Sequence, residues 1–186
     1  MRHKYFVISI LFIVALLFAG CGGATEETPE QAVTNALNGI KQLNQETMER
    51  YFQSGNPMGD IEEDEEELLK LLVENINFNI ISSSVDGDSA IVETEITNIN
   101  IGNIFGELIG EVMMLVFAGI EITDEDMDQL LVELLERPYN ETVTNTVNIS
   151  LTKDDDVGGW IINTNDELED AIFGGMFSTV DGILDF

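Results

Sequence analysis

Thr142-Val143-Thr144-Asn145-Thr146-Val147-Asn148-Ile149-Ser150-Leu151 is the stretch that decides the fold. Its Val143, Val147, Ile149 and Leu151 alternate with Thr142, Thr144, Thr146, Asn148 and Ser150. Successive side chains of a strand point to opposite faces, so a period of two marks a strand with one face in a core and one in water. Lys153-Asp154-Asp155-Asp156 then turns the chain into Trp160-Ile161-Ile162. Upstream, Ile76-Asn77-Phe78-Asn79-Ile80 alternates too, and Asp86-Gly87-Asp88 turns it into a strand with Ala90, Val92 and Ile96 on one face. An Asp-Gly turn between such runs is a strong hairpin signal. The sequence therefore predicts two β-hairpins and an antiparallel sheet.

Helices lie around them. Thr28-Pro29-Glu30-Gln31 has the cap, the N1 proline and, at the third helical position, the partner of a capping box, and Val33, Ala36, Leu37, Ile40 and Leu43 follow at helical spacing. A break near Asn44 precedes a short helix with Met48, Tyr51 and Phe52, and Ser54 to Gly59 is a loop. Asn165 caps a last helix through Leu168, Ala171 and Ile172, closed by Gly174-Gly175. Asp60 to Glu67 holds seven acids in eight residues and leads into Leu68, Leu69, Leu71 and Leu72. It lacks the spaced ligands and central glycine of a calcium loop, so it reads as a solvated helix start, where carboxylates suit the positive end of the dipole.

Between the two hairpins, residues 103–118 are apolar on most sides, broken only by Glu107, Glu111 and glycines. A second helix runs from Thr123 or Asp124 to Arg137 with Met127, Leu130, Leu131, Leu134 and Leu135 as its apolar stripe. Gly106-Glu107-Leu108-Ile109-Gly110 has the small-xxx-small spacing of paired membrane helices, but the segment is too short and too acidic to span a bilayer. Met113, Met114, Leu115, Val116 and Phe117 read first as core, with an apolar ligand pocket or partner surface as the alternative, since methionine adapts to varied shapes.

The N-terminus has three parts. Arg2, His3 and Lys4 form a basic cap, Tyr5 to Gly20 carries no charge, and Cys21 follows directly. That order is the mark of a secretory signal peptide. Leu17-Phe18-Ala19-Gly20-Cys21 resembles the lipobox of bacterial lipoproteins, with Phe18 where the family usually has Leu. The resemblance implies diacylglycerol on the Cys21 sulfur, residues 1–20 removed, and possession of at least two acyl chains. One chain anchors marginally and two hold firmly, at roughly 0.8 kcal/mol per buried methylene. Residues 21–27 then read as a lipidated, flexible tether.

Without residues 1–20 the chain keeps five basic residues (Lys41, Arg50, Lys70, Arg137 and Lys153) against all 36 acids, a formal charge of −31. Nucleic acid needs basic clusters to displace counterions, and none is present, so no nucleic-acid partner is expected. An anionic membrane surface would repel the domain, which leaves lipid as the expected anchor. A saline or alkaline exterior suits such a chain, because salt screens its self-repulsion. Cys21 is the only cysteine and His3 the only histidine. The mature domain therefore has no disulfide, no Cys or His metal site and no Cys/His or Ser/His catalytic pair. No cofactor is expected.

The order of helices, hairpin, helical excursion, hairpin and short helix resembles small extracytoplasmic bacterial lipoproteins of unknown function with a cystatin-like or nuclear-transport-factor-like domain. The residues that carry the resemblance are Thr28 to Val33, Val85 to Val92, Trp160 to Ile162, Asn165 to Leu168 and Gly174-Gly175. It implies an α+β fold: a curved antiparallel sheet packed on N-terminal helices as a cone, with a helical hairpin inserted at about 103–137. Residues 28–175 would be that single domain and 176–186 a tail. The expected function is a non-catalytic binding or interaction module on the extracytoplasmic face of the cell membrane, with a small apolar ligand or a protein as occupant. The alternatives are a structural or signalling envelope lipoprotein, and an enzyme using a carboxylate inside the cone, with Glu93 or Glu95 as candidates although their alternation with Ala90, Val92 and Thr94 puts both on the solvent side of the strand. Intact-mass analysis of the membrane fraction should give a chain starting at Cys21 and carrying diacylglycerol, and Cys21→Ser should release the protein from the membrane. An unmodified thiol with the leader still attached would contradict the lipid anchor.

Overall fold

The computed structural model describes residues 26–59, 61, 65–155 and 158–184. The leader, Cys21 and the tether as far as Thr25 lie outside the described residues, as do Asp60 and residues 62–64 of the acidic run. Helix α1 (Pro29–Lys41) opens with the capping box of Thr28 and Gln31 and buries Ala32, Val33, Ala36, Leu37 and Ile40. Leu43 reverses the chain in the left-handed region, φ 51°. Asn44 then caps α2 (Gln45–Tyr51), which buries Met48 and Tyr51. Helix α3 (Glu66–Val73) follows, without a side-chain cap, and buries Leu72 and Val73.

Four strands form one antiparallel sheet in chain order: β1 (Asn77–Asp86), β2 (Ser89–Ile99), β3 (Thr142–Asp154) and β4 (Gly159–Asn163). The sheet curls around the helices. A register shift between Ile80 and Ser82 bends β1, and Gly87, φ 62°, makes its turn into β2. Burial alternates along β2 and β3 as the sequence pattern requires: Ala90, Val92, Ile96, Val147, Ile149 and Leu151 face the helices. Full burial of each Val, Leu or Ile side chain contributes roughly 1.5–3 kcal/mol. The core is thus built where α1, α2 and α6 (Asp166–Ile172) lie on the sheet's concave face.

Among the described residues, two buried polar side chains sit on that face, Thr94 and Asn98. Asn98 is a staple. Its Nδ2 donates to the carbonyl of Leu72 at 2.8 Å and to that of Ile172 at 2.7 Å, while its Oδ1 accepts from the Ile99 amide at 2.8 Å. Both carbonyls lie in the last turns of helices, α3 and α6, where intrahelical partners run out. One amide therefore fastens two helix ends to β2. From outside, the Lys41 ammonium donates to the Ile76 carbonyl at 2.8 Å and ties the end of α1 to the start of β1.

The inserted hairpin consists of α4 (Ile101–Phe117) and α5 (Asp124–Leu135). It leaves and re-enters the sheet at one point, because Ile99 faces Thr142 in the β2–β3 pair and the Asn100 amide donates to the Glu141 carbonyl at 2.8 Å. At its root, Asn140 Nδ2 donates to the carbonyls of Leu134 and Leu135 at 2.9 and 2.8 Å and closes α5.

Two boundaries differ from the sequence reading. Residues 176–184, expected as tail, form α7 (Met176–Leu184). The Gly174-Gly175 pair that reads as a stop is a tight reversal with both φ positive, and Thr179 Oγ1 donates back to the Gly175 carbonyl at 2.8 Å. Gly102 of α4 lies against Thr179 and the Gly175 carbonyl, so α7 braces the hairpin root. At the other terminus, Glu26 and Glu27, read as the last of the tether, are bound to the domain. Glu27 Oε1 accepts from the Tyr51 hydroxyl at 2.6 Å and from Asn35 Nδ2 at 2.9 Å. Its Oε2 is buried without a hydrogen-bond donor, 3.7 Å from Arg50 Nη2, which is ion-pair distance only. Lys153 Nζ stands 3.3 Å from Glu26.

Asn98→Ala should destabilise the domain by about 2–4 kcal/mol, since it orphans two buried carbonyls and opens a void. Gly174→Ala should cost about 2–3 kcal/mol, because a Cβ there meets the Ile99 carbonyl and the backbone is left-handed. Chemical denaturation of each variant measures both; a loss under about 0.5 kcal/mol for Asn98→Ala would show that the staple carries nothing.

Candidate functional site

The concave face, where a cone would hold a ligand, is occupied by side chains of α1 and α6, which share one core with Val92, Ile96, Val147 and Ile149. Glu93 and Glu95 point the other way. Glu93 accepts from Ser82 Oγ at 2.9 Å and Glu95 from Asn79 Nδ2 at 3.4 Å, both across the outer face of the β1–β2 pair. Thus neither proposed catalytic carboxylate faces the core. Glu30, early in α1, is also held by a sheet serine: the Ser83 hydroxyl, then Thr28, keeps its carboxyl below the usual glutamate range.

The helical hairpin has a different surface. Helix α4 is apolar on two opposite sides. Ile101, Ile104 and Leu108 are buried and Phe105, Val112 and Leu115 half-buried on the inner side. Gly106, Ile109, Gly110, Met113, Val116 and Phe117 line the outer side and are exposed, with Phe117 at 82% and Met114 beside it at 69%. Neither Gly106 nor Gly110 has anything within 4 Å of where a Cβ would stand. The core reading of Met113, Met114, Val116 and Phe117 is therefore corrected. Helical periodicity marks apolar residues but not how many neighbours the fold supplies, and only the root of the hairpin reaches the body.

The connection from α4 to α5 forms the tip. Gly119, φ 76°, ends α4. Thr123 caps α5, and the Asp126 carboxylate returns the bond by accepting from the Thr123 amide at 2.9 Å and hydroxyl at 2.7 Å. Those two bonds, the hydroxyl's first, hold the Asp126 carboxyl below the usual aspartate range. Two hollows flank the tip and share Ile120, Glu121 and Ile122. One, of about 580 Å³, is lined by Val112, Val116, Thr123 and Met127. The other, about 300 Å³, has Asp126 and Glu133 on its wall beside Leu115 and Leu130. Composition hid this site, because hydropathy treats every face of α4 alike; the signal that could have revealed it is apolar residues on both sides of one helix.

At the root, Arg137 Nη1 bonds Glu107 at 2.7 Å and Nη2 bonds Glu111 at 3.5 Å. A cleft of about 380 Å³ brings Arg137 near Asn103, Tyr139 and Glu141. Arg137 and Glu107 are 44% and 57% exposed, so water competes for this pair. Among the described residues no helix is long and apolar enough to cross a membrane.

No family model matches the chain, and no curated protein matches it. Among solved structures, it is similar to one described as an LEH-like epoxide hydrolase of M. tuberculosis, at 16% identity over 85% of this chain and 97% of that one, with a TM-score of 0.32. That likeness transfers no residue role.

The lowered pKa of Asp126 means that the cap's stabilisation is present above the ordinary aspartate range and is lost as pH falls through the lowered value. In an NMR titration Asp126 should protonate below the usual aspartate midpoint, and Thr123→Ala should return it to that midpoint. An unchanged midpoint in the variant would rule out the cap as the cause.

Proposed function

We propose that the chain is a binding module, anchored by lipid on Cys21 to the extracytoplasmic face of the cell membrane, whose contact surface is the outer side of α4. The observation that carries this reading is a helix apolar on both sides with a neighbour on only one. Helices of that kind are covered in the places where they work. The filled concave face favours a protein contact over a small apolar ligand held inside a cone.

The position of the first described residues supports the same reading. Glu26 and Glu27 are bound beside Lys153 and Gly159, at the end of the sheet where Ser89 faces Thr152. The hairpin springs from the opposite end, where Ile99 faces Thr142. Ten residues of strand separate the two, roughly 30 Å. Four residues, 22–25, stand between Cys21 and Glu26. A lipid on Cys21 then holds the far end of the sheet at the bilayer and leaves the hairpin root on the side away from it.

A photo-crosslinking residue at position 113 or 117, activated on intact cells, should give a discrete adduct, while one at exposed Val85 on the sheet should not. Absence of any adduct from both hairpin positions would overturn the binding surface.

A further inference from the structure

Resting on that contact face, we propose that its occupant is a cationic amphipathic helix of a second protein. The shape argument begins at the tip. The 580 Å³ hollow between Val116 and Met127 is apolar, open and large enough for one bulky side chain of a partner. It continues along α4 as an exposed row, Ile109, Met113 and Phe117, with Gly106 and Gly110 at the same side. Anchors repeating at three and four residues are what an apolar helix face presents to a groove. The two glycines give a second backbone room to approach, and the methionines adapt to its side chains.

Charge selects the sign of that helix. From Val112 to Glu136 there are seven acids and no base. Glu121 belongs to the rim of both hollows, and Asp126 and Glu133 line the second. A helix with its apolar side in the first hollow would bring its polar side against these carboxylates. Lysines or arginines there gain; acids are repelled.

The same charge disfavours the two other occupants. A second copy of this chain would set seven acids against seven. An anionic bilayer repels the tip, and a lipid on Cys21 would sit near the bound Glu26–Glu27 segment, at the other end of the sheet.

The test uses the mature chain bearing Cys21→Ser and two 18-residue peptides of identical apolar pattern, one Leu/Lys and one Leu/Glu, with binding followed by calorimetry. The Leu/Lys peptide should bind and the Leu/Glu peptide should not. Val116→Ser/Met127→Ser should weaken the Leu/Lys complex about tenfold or more. Glu121→Gln/Glu133→Gln should weaken it and flatten its salt dependence. Thermal melting of each variant establishes that it is folded, and Val85→Ser serves as an apolar substitution outside the face. Equal binding of both peptides would overturn the proposal, as would Leu/Lys binding that ignores the hollow variants, since the peptide would then be reading overall acidity. Binding of phosphatidylglycerol vesicles through the same residues, or dimerisation through them, would replace the helix by a membrane or a second copy. Failure here with the cellular adduct intact removes only the helix; loss of that adduct removes the contact face itself.

Discussion

The Asn98 amide is the constraint on which the other contacts depend. It has no solvent to fall back on, and it meets the ends of two helices that approach the sheet from different parts of the chain. A buried polar group that finds all its partners specifies one arrangement, because any sliding of α3 or α6 leaves a carbonyl unpaired. With both helices fixed, Gly174 is pressed onto the Ile99 backbone and α7 is pressed onto the root of α4. The chain of contact thus runs from one side chain in β2 to the base of the inserted hairpin.

That base is where rigidity ends. The root of the hairpin is clamped by the β2–β3 pairing, by Asn140 and by α7. Beyond Leu108 no residue of α4 is fully buried, and the tip depends on its own capping box and on contact between its two helices. A helical hairpin with an exposed apolar side is costly to keep in water unless something covers it. On the proposed reading, the acids around the tip would repel a second copy and select a cationic partner through the same carboxylates.

The sheet and the first helices were legible in the sequence because local chemistry and burial agree there. Strand alternation from Thr142 to Leu151, the Asp86-Gly87-Asp88 turn, the caps at Thr28 and Asn165, and the start of α5 at Thr123 or Asp124 each appear where the residues predict. The α+β class and the insertion between the two hairpins follow from the same signals. Three features were not legible. Helix α7 follows two glycines that read as an end, and its helix is secured by contacts with Gly102 and Asp170 that no local pattern contains. Glu27 looks like tether until Tyr51 and Asn35 are brought to it. The outer side of α4 looks like core because burial is decided by what lies opposite, which is a tertiary fact. Glu93 and Glu95 show the converse: alternation alone places them outside, and they are outside.

Methionine oxidation tests the central claim, an apolar face bare in the isolated domain and covered in place, most directly. Met113 and Met114 are more than half exposed and Met48 is fully buried, so brief peroxide treatment of the purified mature chain should convert the first two to sulfoxide and spare the third. On intact cells, with the protein at its natural level, Met113 and Met114 should be protected several-fold. Equal oxidation of these two methionines in both settings would contradict the claim.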